Sequence, residues 1–430
     1  MLSTDEKNLK KEKSTELSDR QRRGWHVTFA GFGTNMALGV LYSWGVFAAA
    51  LRTEGWTATE SQIPYMIACA MFALLMVPGG RLQDKYGPRP VITAAAGFAL
   101  VGLVMSGFFT TVIGISIFFG LIFGTGIGFG YSSATPPAVK WFGSHKRGLI
   151  AGIVVSGFGL AGIYIAPLTR FLLAQFGLEL TFVILGISLS IIVFVMARFI
   201  TNPPEGYEPP KPTAKEDDIS VKATSLNLGW NLITKTPHFY ALWLMFFFGT
   251  FAGLMVIGQL QSIGEEQGGL TAGWATALVM VYAVSNCIGR IICGMLSDIM
   301  SRKLTMFSIF AIQAITFLFF IRFTNFTSLA TATVLVAFAY GGMLSVFPAT
   351  TADFYGLKHL GVNYGLVFTA WGASGVFGPL LGGIVRDVTG TYLICYLVAA
   401  GLSILGGILS LLTNPPSEER LTNLLEKYDH

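Results

Sequence analysis

Thr201-Asn202-Pro203-Pro204-Glu205 closes one long apolar run, and Thr413-Asn414-Pro415-Pro416-Ser417 closes another in the second half of the chain. Gly80-Arg81-Leu82-Gln83-Asp84 and Gly294-Met295-Leu296-Ser297-Asp298 form a second pair. Lys146-Arg147-Gly148 with Gly152 and His359-Leu360-Gly361 with Gly365 form a third. The offsets, from 201 to 413, from 80 to 294 and from 146 to 359, are nearly equal. One coincidence would mean little. Three at nearly one spacing argue for duplication of a unit of that length. Both copies of each pair fall on the same side once the runs are laid out, so the two halves share an orientation.

Outward from these markers the chain is apolar almost throughout. Of its residues 53% are hydrophobic and 12% charged, with a mean hydropathy of +0.63. A soluble domain would carry about a quarter charged residues. Apolar runs are read at 25–49, 62–80, 90–110, 113–136, 148–173 and 179–200, then at 239–262, 272–297, 303–322, 328–351, 361–384 and 390–412. Each is long enough to cross a hydrocarbon core of about 30 Å as a helix. In lipid every backbone polar group must pair internally, so repeated runs of this length mean a helical bundle. The expected fold is an all-α membrane protein of twelve transmembrane helices, in two six-helix halves related by pseudo-two-fold symmetry. The expected divisions are a tail at 1–24, a bundle at 25–200, a linker at 201–238, a second bundle at 239–412 and a tail at 413–430. The linker carries Pro203, Pro204, Pro209, Pro210 and Pro212 and the mixed charges of Lys215-Glu216-Asp217-Asp218, so it reads as extended and solvated. No signal-peptide pattern precedes the first run.

Lysine and arginine set the expected orientation. Among 28 such residues, only Arg52, Arg170, Arg322 and Arg386 fall at one set of run ends and Arg290 within a run. The rest gather on the side of the termini, which places both termini in the cytoplasm and the chain, multi-pass, in a cell membrane. The net charge of +5 is therefore a topology signal, and nucleic acid is not an expected partner. Cys69, Cys287, Cys293 and Cys395 all fall inside apolar runs with no Cys-x-x-Cys pair, which points to structural thiols. No metal or cofactor is expected, and a monomer is the default for two fused halves.

Arg290 is the residue that demands an explanation. A cation inside a span costs about 2.5–3.5 kcal/mol on insertion scales, and such residues usually serve a pathway. Tyr282, Asn286 and Arg290 follow at i, i+4 and i+8 and share a helix face. A guanidinium presents a planar fork that fits a carboxylate with two hydrogen bonds. Asn286 can add an amide donor to the same anion.

The segment Gly80-x-x-x-Asp84-Lys85-x-Gly87-x-Arg89 resembles the loop 2–3 signature of the major facilitator superfamily. Within it the chain is similar to the monocarboxylate transporter family and the related oxalate/formate exchangers. The likeness lies in Lys140-Trp141-Phe142 with Lys146-Arg147-Gly148-Leu149-Ile150-Ala151-Gly152, and in Thr236-Pro237-His238-Phe239-Tyr240-Ala241-Leu242-Trp243. It continues in Asn286-x-x-Gly289-Arg290, in Phe347-Pro348-Ala349 with Asp353-Phe354-Tyr355-Gly356, and in Gly39-Val40-x-Tyr42-Ser43-Trp44.

The resemblance implies secondary active transport by alternating access, with Arg290 as the partner of a substrate carboxylate. It implies that Tyr42, Tyr131 and Tyr340, on helices that line a central cavity, complete the site with Asn286. Phe368 and Trp371 would narrow it. Gly80, Asp84, Lys85, Gly87 and Arg89, with Asp298 in the repeat, would govern the conformational change. Aligned on Asn363-Tyr364-Gly365, Trp371 stands where the oxalate/formate branch carries a second cation. One cation in low dielectric suits a monocarboxylate of lactate size better than oxalate. The family also implies proton coupling, yet Asn286 stands where animal members carry an acid, and no Asp or Glu falls near the centre of any run. The proton could ride on the substrate, or on His26 or an end aspartate such as Asp84, Asp298 or Asp353. Otherwise the chain exchanges anions without protons.

Other classes fit poorly. An enzyme would need converging acids, bases or metal ligands, and the five histidines lie in tails, loops or near run ends. A channel does not follow from a duplicated parallel half. A pocket with one cation and no acid suits neither sugars nor cationic drugs.

Overall fold

The computed structural model describes residues 22–142, 147–204, 207, 227–356 and 359–417, with 419, 421, 422 and 426. The side chains of 147, 148, 298, 299 and 361 are outside that description, as are the tail through residue 21 and most of the linker. The helices are α1 (Arg22–Thr53), α2 (Glu60–Tyr86), α3 (Pro88–Phe108), α4 (Val112–Lys140), and α5 and α6, which share the helical stretch Arg147–Phe199. They continue as α7 (Pro237–Glu266), α8 (Ala272–Met300), α9 (Arg302–Arg322), α10 (Phe326–Tyr355), α11 (Leu360–Thr389) and α12 (Leu393–Leu412).

Arg147–Phe199 is too long for one crossing, and Gly177 breaks it at φ 74° and ψ −179°. A left-handed φ is easy only for a residue without a Cβ. The two limbs run in opposite directions. Val154 lies against Gly31 and Arg170 against Gly273, whereas the second limb returns along α3, with Glu179 at Gly107 and the Arg198 carbonyl on Arg89. Among the described residues, eleven apolar helices of spanning length thus make twelve crossings.

The ends that carry residues 22 and 412 are called near, and the opposite ends far. Packing repeats after six helices. α1 lies along α5, α2 along α4 and α3 along α6; correspondingly α7 lies along α11, α8 along α10 and α9 along α12. Between the halves α2 packs on α11 and α5 on α8, again a matched pair. The repeat extends to backbone angles. Gly87 joins α2 to α3 at φ 83°, and Ser301, at the same offset as the sequence markers, joins α8 to α9 at φ 100°. Duplication kept the turn while the residue that suits it changed.

Large apolar side chains such as Leu149, Phe171, Ile191, Ile315 and Leu405 remain exposed on the flanks. Continuous apolar flanks around a helical bundle are what a hydrocarbon solvent requires. At the near end, polar contacts tie each half to itself. Trp141 donates to the Thr201 carbonyl and Arg89 to that of Arg198, while Arg302 pairs with Asp353 and Lys303 donates to Asn414. At the far end they join the halves. Arg52 pairs with Glu266, and Asp387 accepts from the Ala58 and Thr59 amides and the Thr59 hydroxyl.

Candidate functional site

Arg290 sits near the middle of α8, only 8% exposed. Its guanidinium is held at three nitrogens. Nε donates to Asn286 Oδ1 at 3.1 Å, Nη1 to the Val155 carbonyl of α5 at 3.1 Å, and Nη2 to the Tyr42 hydroxyl of α1 at 3.0 Å. Two of these three partners belong to the other half. Such a charge needs partners on every side, because a buried unpaired ion is far costlier than a paired one.

The donors then form a chain. Arginine has no acceptor, so the Tyr42 oxygen must accept from it. The Tyr42 proton is then free to pass to the Tyr340 oxygen, 3.4 Å away, which also accepts from Trp371 Nε1 at 2.7 Å. The Tyr131 hydroxyl lies beside the same guanidinium. Every side chain in this group offers protons, and none is a carboxylate.

Aromatic rings close the other side. Phe368 and Trp371 stack at 5.1 Å and 19°. Phe72 of α2 sits 5.0 Å from Trp371, 5.7 Å from Phe368, 5.1 Å from Tyr131 and 5.5 Å from Phe158. Phe158 of α5 meets Tyr42 and Tyr131 edge-on, each at 5.5 Å. These offset and edge-on geometries are the favoured ones for aromatic pairs.

The structure therefore brings Arg290, Asn286, Tyr42, Tyr131, Tyr340, Phe368 and Trp371 into one cluster. Asn286 takes a different part from the expected one. Its carbonyl oxygen serves Arg290 Nε and its amide faces the Ala337 carbonyl at 3.5 Å, so it acts on the guanidinium instead of offering a free donor. Tyr282 shares the face but donates to the Gly253 carbonyl at 3.0 Å. His26 opens onto a flank cavity of about 490 Å³ between α1 and α6, lined also by Phe29, Met196 and Phe199, and none of the cluster residues line it.

The residues expected to govern conformational change lie at the near end. Asp84 and Lys140 are 3.9 Å apart and both largely exposed. Lys85 lies over the Tyr86 ring, Gly87 makes the α2–α3 turn, and Arg89 clamps α3 to the end of α6. A Cβ at Gly80 would meet open space. The Asp298 side chain lies outside the described residues.

Sequence reasoning missed Phe72, Phe158 and the Val155 carbonyl. The first two are among 35 phenylalanines in runs that are apolar throughout, and a backbone carbonyl carries no residue signal. It also missed the far-end cluster. There Glu266 bridges Arg52 and Arg386, Arg52 reaches the Tyr392 hydroxyl, and a cavity of about 370 Å³ opens beside Trp56, Ser262 and Glu265.

Comparison with known proteins bears on this geometry. The family model of the Major Facilitator Superfamily matches residues 25–269 and 251–427. An MFS-type transporter of Escherichia coli K12, YhjX, is 29% identical over 84% of this chain and 87% of its own. The oxalate:formate antiporter of Oxalobacter formigenes is 28% identical over 84% and 85%. Monocarboxylate transporter 13 of Rattus norvegicus is 25% identical over 91% and 89%. A solved bacterial homologue of the human lysosomal transporter Spinster, inward-facing and unoccupied, superposes with a TM-score of 0.65 at 16% identity, over 91% of this chain and 96% of that one.

Proposed function

The chain belongs to the major facilitator superfamily of membrane transporters, and from that premise we propose that it carries small monocarboxylates of lactate size by alternating access, in symport with protons. The observation that carries the reading is the Arg290 cluster: one buried cation, surrounded by proton donors and aromatic rings, and bonded to both halves. A carboxylate accepts two parallel hydrogen bonds from a guanidinium fork. The Phe72, Phe158, Phe368 and Trp371 rings suit a short apolar tail and disfavour a second charge, which would be buried without a partner.

In this mechanism the anion pairs with Arg290 between the halves. Neutralising the buried charge lowers the cost of closing over it. The halves then rock about a fixed site. In this reading the near end is cytoplasmic and the joined far ends face the outside. Arg22, Arg23, Lys140, Arg198 and Lys303 at that end support this orientation, as does the lysine and arginine rule. The membrane is the cell membrane, and the working unit is a monomer.

A second reading is anion exchange without protons. It is favoured by the absence of any carboxylate in the described Arg290 cluster and by the similarity to a protein described as an oxalate:formate antiporter. One experiment separates the two. Labelled L-lactate uptake into proteoliposomes is measured with and without an inward proton gradient, for the parent and Arg290→Lys. Gradient-driven accumulation lost in the variant supports symport. Uptake indifferent to the gradient but driven by internal lactate or formate supports exchange. Arg290→Lys uptake at the parent rate would remove Arg290 from the mechanism.

A further inference from the structure

At Gly159 the α5 backbone leaves no free room for a side chain beside Asn286 and the guanidinium. A Cβ built on Gly159 would stand 2.9 Å from Asn286 Oδ1 and 3.5 Å from Arg290 Cζ and Nη2. We infer that Gly159 is a positioning residue for the Arg290 fork: its missing side chain lets α5 seat the guanidinium by backbone alone. The inference rests on the reading of Arg290 as the anion's partner and adds what aims it.

The argument follows the bonds. Val155 and Gly159 are one helical turn apart, so the Val155 carbonyl takes the Gly159 amide within the helix and Arg290 Nη1 from outside it. Asn286 is fully buried, with Oδ1 on Arg290 Nε and Nδ2 toward the Ala337 carbonyl. It cannot swing away from a methyl group at 159 without releasing Nε. A push at Gly159 is therefore passed to the guanidinium whichever atom yields. Guanidinium has five N–H groups. The bonds to Asn286, Val155 and Tyr42 use one on each nitrogen, which leaves one on each Nη with the Tyr131 hydroxyl beside the guanidinium. That is the pair a carboxylate would take, and the α5 backbone sets its direction. Errors of about 1 Å in such a clamp can cost about a hundredfold.

Gly152 supplies the control, since a Cβ there, on the same helix, meets nothing within 4 Å. Purified Gly159→Ala, Gly152→Ala and Arg290→Lys are compared with the parent for labelled L-lactate binding, for uptake KM and maximal rate in proteoliposomes, and for thermal unfolding. The expected result is a rise of about tenfold or more in the Kd and KM of Gly159→Ala with a near-parent unfolding temperature, and parent values for Gly152→Ala. Unchanged affinity with a lower maximal rate would assign Gly159 to helix sliding and overturn the inference. Parent-like binding by Gly159→Ala beside lost binding by Arg290→Lys would overturn it while leaving Arg290 in place. Parent-like binding by both would overturn the role of Arg290 first, and the inference with it. Should Gly159→Ala not fold, the double variant with Asn286→Ala removes the atom that the methyl group meets. A double variant that folds and binds as Asn286→Ala alone does upholds the inference, because the push then acts through Asn286; one that binds more weakly than Asn286→Ala alone, or stays unfolded, ends it.

Discussion

Arg52 in α1 reaches Glu266 in α7 with 2.6 Å between Nη1 and Oε1, so an ion pair joins the far ends of the two halves. Both side chains are partly exposed, at 19% and 27%. Such a pair contributes about 1 kcal/mol or less by itself, but Arg386 and Tyr392 extend it into a network. Any opening toward the far side must break it.

Glu266→Gln is therefore expected to shift the population toward far-open states severalfold, and high salt should do the same to the parent. Spin labels on the α1 and α7 far ends, read as a distance distribution, would reveal it. An unchanged distribution in Glu266→Gln would mean that the backbone contacts of Asp387 hold this end.

Trp371 donates to Tyr340, and under the proposed reading it holds the place of a second cation. Trp371→Lys is expected to weaken inhibition by L-lactate and to create inhibition by oxalate in a competition assay against labelled substrate. Trp371→Phe keeps the ring and removes one hydrogen bond, so it should cost about 1 kcal/mol in affinity, roughly fivefold. Oxalate inhibition that Trp371→Lys leaves unaltered would show that charge at 371 does not set selectivity.

Phe72 is 1% exposed and touches four rings from both halves. Phe72→Ala should cost about 3–5 kcal/mol of stability through the cavity it leaves. Phe72→Leu should fold and admit longer monocarboxylates. Relative uptake of lactate against a six-carbon monocarboxylate measures that, and an unchanged ratio would place Phe72 in packing alone.

Ser301 holds φ at 100°, a region that costs a residue with a Cβ about 1–3 kcal/mol. Its hydroxyl returns little, since the Leu304 amide is 3.4 Å away. Ser301→Gly should raise the unfolding temperature by a few degrees without altering transport kinetics. A lowered Tm would mean that the cap outweighs the strain.

The fold was legible because its signals are local or repeated. Run lengths report crossings, and the marker pairs, such as 201 with 413 and 80 with 294, report duplication by their common offset. The exact limits of helices were less legible. Among the described residues α1 already includes Arg22 and α10 reaches Tyr355, beyond the apolar runs, because a helix can continue into polar ends where water satisfies its side chains. The α5–α6 reversal was read as a gap, yet helical geometry runs to both sides of a single left-handed glycine, Gly177.

The sequence by itself determined that the chain crosses a membrane twelve times in two like halves, and that one arginine, Arg290, is carried into the interior on the face of Asn286. Those conclusions follow from the cost of polar groups in hydrocarbon and from the periodicity of the helical turn. Only the tertiary structure decided what Arg290 touches. Tyr42 is 248 residues away and Val155 is 135, and one of these partners is a backbone carbonyl with no residue identity to read. Phe72, Gly159 and the Arg52–Glu266 pair belong to the same class. Their roles arise from which helix faces meet between the halves, and no periodicity along one helix encodes that.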